Sequence, residues 1–269
     1  MEFDEMEVKL DTYDVISKNL TTNSANNAEK FFWDLRIFSI DILQNRSYSL
    51  WERLILLGMF YEEISKCNQV DLFDKIPLYI QSYKKIYEDV SVLRNSLMEI
   101  PVRYDVQMQL AMKLVDERYG AGINNQRYAD CLRETLQGIK VNQGEEPEKV
   151  VEQYKVASNK YYQPFISEHE YILENYLVNY VYKNMFPFGG YSSILDDYIM
   201  LVVHFSLIKL HLIGMAGFHT GLTTDQVIKL IQSFAKTFEH NNVFLHKIFD
   251  FLKDNGYTTM GYMSILIKN

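Results

Sequence analysis

The chain has 269 residues, 48% hydrophobic and 23% charged, an ordinary globular balance with ample apolar material for a core. A net charge of −8, with no cluster of four Lys or Arg, excludes a nucleic-acid surface, which needs a basic face. The cysteines are Cys67 and Cys131, neither in a C-x-x-C spacing, so a disulfide framework and a Cys-ligated zinc or iron–sulfur cluster within this chain are excluded, and buried thiols in a reducing compartment are expected.

Breakers are few, 5 Pro and 12 Gly, and helical periodicity dominates from end to end. Residues 1–14, with Glu2, Asp4, Glu5, Glu7, Asp11 and Asp14, read as a solvated acidic first helix, and the lack of a basic segment followed by an apolar run predicts no secretory signal. Over 28–46 the residues Phe31, Leu35, Phe38 and Ile42 form one inward stripe. Ser49 and Glu52 make a capping box that opens a helix over 50–66. Pro77 is expected in the first turn of a helix over 77–98, with Ile80 and Tyr83 inward. Pro101 precedes a helix over 102–118, and Gly138 ends a short one over 125–137. The polar stretch 139–146 is the one plausible linker, so 1–269 is a single helical domain or divides into subdomains 1–140 and 145–269.

Pro147 opens the next helix, and Pro164 begins or kinks another that ends before Pro187. Phe186-Pro187-Phe188-Gly189-Gly190-Tyr191 is the most loop-like stretch. Ser193 with Asp196 resembles a second capping box that opens 194–217, Thr223 with Gln226 opens the next helix, Asn242 caps 243–254, and a short helix over 258–267 finishes the chain. Residues 199–218 could cross a bilayer by length, but His204, Lys209 and His211 are costly in lipid, so this run is expected to be a central buried helix. The predicted fold is all-α: an irregular multi-helix bundle of about ten helices with no significant sheet.

The search for chemistry returns mostly exclusions. Gly214-Met215-Ala216-Gly217 follows a helix rather than a strand, so it reads as close helix packing and a C-cap and not as a phosphate turn. His169-Glu170 begins like a zincin helix, but Leu173 stands where the second ligand is needed. His204 and His211 are seven residues apart, about 10 Å along a helix axis, too far to share an ion, and read as satisfied core histidines. The helix over 165–185 carries Asn175, Asn179 and Lys183 on one stripe and Tyr176, Tyr180 and Asn184 on the next. Asparagine is a poor helix former and a buried amide needs partners, so the first stripe either lines a polar cavity or faces solvent. Glu174, Asn175, Asn179, Tyr180, Lys183 and His204 are therefore the candidate substrate-binding or pocket residues, with no catalytic residue and no metal ligand assigned.

The segment ENYLVNYVYKNMFPFGG (174–190) resembles a characteristic stretch of the flagellin lysine N-methylase family, and 31–60, 201–222 and 252–269 are similar to further family stretches in the same order. The resemblance implies a cytoplasmic bacterial protein that methylates lysine side chains of flagellin, with S-adenosylmethionine as donor; the acidic charge and the polar residues of 199–218 separately lead to the expectation of no nucleic acid and no membrane as partner. Family members carry in addition a cysteine-rich N-terminal region thought to hold an iron–sulfur cluster. This chain resembles the C-terminal helical portion, so such a cluster is expected only in that absent region. Two roles are consistent with this: the helical part of a protein-lysine methylase, docking flagellin or completing the active site, or a non-catalytic helical interaction module.

Overall fold

The computed structural model describes residues 28–68, 70–88, 90–120, 122, 124–141, 146–239 and 242–268. The acidic stretch 1–14 and the loop 142–145 lie outside the described residues. A single-turn 3₁₀ segment, Glu29–Phe31, leads into α1 (Phe32–Gln44), α2 (Leu50–Ser65), α3 (Leu72–Glu88), α4 (Val90–Met98), α5 (Tyr104–Gly120) and α6 (Gln126–Gly138). Then follow α7 (Pro147–Ala157), α8 (Gln163–His169), α9 (Tyr171–Lys183), α10 (Ile194–His219), α11 (Thr224–Phe234), α12 (Asn242–Asp254) and α13 (Met260–Ile267). No strand occurs among the described residues, so the chain is the all-α bundle that its periodicity predicts.

Helix α10 is the axis of the bundle. It is long and apolar enough to cross a membrane, yet its apolar stretch is wholly buried inside the fold, against α2, α5, α6, α7, α11 and α13. Its polar side chains are satisfied there by protein groups. Lys209 Nζ donates to the carbonyls of Leu266 (2.7 Å) and Ile267 (2.9 Å), which close α13 and have no partner within that helix. His211 Nδ1 faces the Leu207 carbonyl at 2.7 Å, so it carries the proton, and Nε2 accepts from the Tyr128 hydroxyl at 2.9 Å. The Gly214–Gly217 run is where α6 crosses. A Cβ on Gly214 would stand 2.6–2.7 Å from Thr135, so glycine is what lets the two backbones touch. One apolar core joins residues from both sides of 139–146, among them Leu54, Leu114, Leu177 and Leu207.

Local signals set most boundaries. Glu52 accepts from the Ser49 backbone N–H at 2.7 Å, so that capping box forms as the sequence predicts, and Gln226 Oε1 accepts from Thr223 N–H at 2.8 Å in a box of its own; the box expected at Ser193 and Asp196 is instead a plain N-cap, Asp196 N–H donating to Ser193 Oγ. Pro77 departs from expectation: it lies inside α3 and not in its first turn. The helix starts earlier because Leu72 and Ile76, one turn apart, are both buried and extend the stripe upstream, while Pro77 faces solvent. Pro164 lies in the first turn of α8 and so begins that helix. The chain ahead of it widens into a π segment, Ser158–Tyr162, in which Gln163 N–H reaches back to the Ser158 carbonyl.

Candidate functional site

The loop between α9 and α10 shapes the site. Phe186 is fully buried with its ring at right angles to Tyr61, 5.3 Å away, and the Phe186–Pro187 peptide bond is cis. This anchors the turn, and Gly189 is brought down onto the first turn of α10. There its N–H donates to Asp197 Oδ1 at 2.9 Å. A Cβ at Gly189 would sit 2.6 Å from that carboxylate oxygen and from the Asn184 carbonyl, so a larger residue would push the loop off the carboxyl. Ser193 caps the helix by accepting from Asp196 N–H at 3.2 Å, and Asp197 follows with its side chain turned inward.

A cavity of about 100 Å³ opens beside this turn. Tyr180 of α9, Asn184 that caps its end, and Asp197 and His204 of α10 form one side, and Gly189, Gly190 and Tyr191 of the loop with Leu245 and His246 of α12 form the other. Gly189, Gly190 and His246 are exposed and make the rim, while Tyr180, Asp197 and His204 are buried and make the floor. Asp197 and His204 are two helical turns apart on one face of α10 and so mark the two ends of the floor.

Asp197 is 5% exposed. Burial pushes its pKa up, to about 7, against the backbone N–H groups of Gly189 and Tyr191, and the neighbouring Asp196 charge adds to the rise. No Lys, Arg or His among the described residues lies within ion-pair distance of it. His204 Nδ1 lies 3.1 Å from the Tyr176 hydroxyl, and the His204 ring meets Tyr180 edge to face with centroids 5.0 Å apart. Across the loop, Tyr191 stacks on His246 at 5.3 Å and packs on Phe249 at 5.1 Å. The cavity thus combines a buried carboxyl poised to titrate near neutrality with aromatic walls, the combination that suits an amine or ammonium.

A second polar cluster lies on the other side of α9. Arg53 of α2 is 1% exposed and donates to Glu174 Oε2 (2.7 Å), to the Leu43 carbonyl (2.6 Å) and to Glu170. Arg46 grips Glu174 from the surface at 2.8 Å, and Glu170 also accepts from Leu50 N–H at 2.7 Å. Burial works to raise the Glu174 pKa, but hydrogen bonds and charge from Arg46 and Arg53 outweigh it and hold the carboxyl below its usual range. Such a cluster fixes α1, α2 and α9 relative to one another and has its charges already matched.

Residues 36–266 match the model of the FliB lysine N-methylase C-terminal domain. The chain belongs to that family. No curated protein and no solved structure matches it significantly. The role of this FliB C-terminal domain is therefore related to lysine N-methylation, and the cavity can be weighed against what a lysine amine requires.

Of the candidate residues read from the sequence, this FliB domain places Tyr180 and His204 at the cavity. Glu174 is buried in the arginine cluster instead. Asn175, Asn179 and Lys183 are exposed on the outer face of α9, whereas the neighbouring stripe of Tyr176 and Tyr180 is buried and Asn184 half-buried. Sequence reasoning missed Asp197, Tyr191 and His246. The usable signal for Asp197 was its position seven residues before His204 on the long, wholly buried helix, directly after the loop-like stretch.

Proposed function

We propose that this chain is the acceptor-binding part of an S-adenosylmethionine-dependent methylase acting on flagellin lysines in the bacterial cytoplasm, and that the α9–α10 cavity takes the lysine amine. The observation that carries this is the buried Asp197 carboxyl, without an ion pair among the described residues, at a cavity walled by Tyr180, Tyr191 and His246, in a lysine N-methylase family domain. A lysine ammonium entering the cavity forms the ion pair that Asp197 lacks. Desolvation lowers the amine pKa, and Asp197 then takes one proton, leaving a neutral amine and a neutral carboxylic acid. Amine nitrogen needs that lone pair to be methylated. The methyl donor does not fit the cavity: about 100 Å³ lies well below the roughly 300–1,000 Å³ of sites that enclose a drug- or cofactor-sized ligand. The donor is accordingly held outside it, and the chain's own residues bind the amine, orient it and accept its proton.

Calorimetric titration of the chain with flagellin and, separately, with S-adenosylmethionine tests this. Flagellin binding that weakens on Asp197→Asn is expected. Binding of S-adenosylmethionine that is lost on the same substitution would instead make the cavity a donor site. The rival role, a non-catalytic interaction module, draws on Trp33, Ile37 and Tyr182, exposed apolar side chains on α1 and α9, with Trp33 and Tyr182 flanking Arg36. It predicts flagellin binding that Asp197→Asn leaves unchanged.

A further inference from the structure

We infer that Tyr61 of α2, which is not among the residues that line the α9–α10 cavity, is the positioning residue of the amine site: it braces both partners of the hydrogen bond between Gly189 and Asp197 and so keeps that carboxyl out of water. This rests on the cavity being the amine site and adds the residue that sets its floor.

Tyr61 is fully buried, and its ring meets one side chain from each half of that hydrogen bond. Phe186, three residues before Gly189, stands at right angles to it with centroids 5.3 Å apart. Tyr198, directly after Asp197, lies tilted against it at 6.5 Å. Tyr198 is tied to the same helix as Tyr61, its hydroxyl donating to the Leu54 carbonyl at 2.9 Å. The Tyr61 ring is itself held from α1. Ser39 gives its one hydroxyl proton to the Leu35 carbonyl at 2.7 Å, so the Tyr61 hydroxyl donates to Ser39 Oγ at 2.6 Å. The loop has no slack to absorb the loss of this brace. A Cβ on Gly189 would stand 2.6 Å from Asp197 Oδ1 and from the Asn184 carbonyl, so the backbone already touches both. A shift of about half an ångström takes the 2.9 Å bond from Gly189 N–H out of hydrogen-bond range.

Burial pushes the Tyr61 phenol up, the Ser39 hydrogen bond works against the rise, and the Asp197 charge adds to it, so the carboxyl is felt at that ring. Burial is also the largest cause of the Asp197 rise and outweighs the opposing N–H groups of Gly189 and Tyr191. When the loop lifts, water takes the place of the lost donor and relieves the burial, so the net shift is downward. The other titratable groups around the carboxyl are Asp196 on its own helix, Tyr191 of the loop, Tyr180 of α9, His204 at the far end of the floor, and His246 and Asp250 on α12. Burial pushes Tyr191 up as well, so its phenol, like that of Tyr61, stays neutral at neutral pH.

The test reads Asp197 directly, by carboxyl-detected NMR of the intact protein labelled at aspartate Cγ, with the signal assigned by its loss in Asp197→Asn. The wild-type midpoint is expected at about 7. Tyr61→Leu is expected to lower it by about one pH unit, roughly a tenfold change in the ionisation equilibrium. Phe186→Leu is expected to move it the same way, and it carries the test alone if circular dichroism shows that Tyr61→Leu does not fold. Tyr61→Phe keeps the ring and is expected to give a smaller shift. A role in helix packing alone would lower stability and leave the midpoint in place. An unmoved midpoint in the folded variants therefore overturns the inference, as does a shift in Tyr61→Phe as large as in Tyr61→Leu. Calorimetric titration with Nα-acetyl-lysine amide keeps the amine site separate: the step in affinity with pH is expected to follow the NMR midpoint in each variant. No binding, or a step that ignores the midpoint, overturns the amine site, while the midpoint alone decides whether Tyr61 holds Asp197.

Discussion

Two buried carboxyl groups, on neighbouring helices, titrate in opposite directions. Glu174 of α9 has two guanidinium partners and is held below the ordinary carboxylate range, whereas Asp197 of α10 has, among the described residues, only backbone N–H donors and is pushed up to about 7. Both are at most 5% exposed, but Asp197 lies deeper among protein atoms, which adds to its rise. The other difference is whether the fold supplies the counter-charge. Where it does, the carboxylate is a bolt between helices; where it does not, the site is left to be completed by a cation from outside.

The sharpest way to break that contrast is Arg53→Ala. It leaves Glu174 buried, with only the surface Arg46 opposite, and removes a partner from Glu170. Removing one side of a buried ion pair typically costs ~3–5 kcal/mol, and a loss of that size in urea denaturation is expected, with the helical signal retained at low denaturant. A loss under ~1 kcal/mol would place the cluster among ordinary surface pairs and remove its role as the clamp on α9.

Asp197→Asn should behave differently, and the difference is in its pH dependence. The folded pKa of Asp197, about 7, lies above its ordinary value of 3.8. Its stabilising contribution is therefore complete below about 3.8 and is lost as pH rises through about 7. His211 runs the other way: burial lowers its pKa from 6.5 to about 4, so its contribution is complete above 6.5 and is lost as pH falls towards 4. In the wild type these two slopes oppose each other between pH 4 and 6.5. Asp197→Asn removes one of them, so the variant gains stability relative to wild type as pH rises, by up to about 1.4 kcal/mol per pH unit, and is at least as stable as wild type at pH 8. Parallel denaturation series at pH 4.5, 6 and 7.5 check this. Superimposable profiles would mean that Asp197 is solvated and titrates normally.

The two clusters also show how far the sequence could be read. The burial of α10 was legible because its apolar residues cover every face and its few polar ones are placed where only protein partners could satisfy them. The capping box at Ser49 and Glu52, the packing role of Gly214 and Gly217, and the satisfied histidines were legible for the same local reason. Glu174 with Arg53 was not, because the partners lie 121 residues apart and periodicity carries no information about which helix faces which. Asp197 was hidden by a competing explanation: an acid in a first turn next to Ser193 and Asp196 looks like a complement to the helix dipole. The polar stripe was recognised on the right helix, but Asn175, Asn179 and Lys183 lie on its exposed face and the tyrosines one position further on lie on its buried one.

That outer stripe yields the smallest expected effect and a separate question. Asn179 is exposed and mid-helix, so Asn179→Leu should change stability by no more than ~0.5 kcal/mol, helped slightly by leucine's better helix propensity. It runs parallel to the buried stripe and reaches, through Lys183, the end of α9 where Asn184 meets the cavity. A polypeptide delivering a lysine to that cavity would lie over some part of the surrounding surface. If flagellin affinity drops in Asn179→Leu while acetyl-lysine amide binding is unchanged, the polypeptide lies along α9. If both are unchanged, the stripe is a solvated face and the approach is from the α12 side, past His246. A drop in stability of ~2 kcal/mol or more would contradict the exposure of Asn179 itself, since no surface asparagine with a solvated amide has that much to lose.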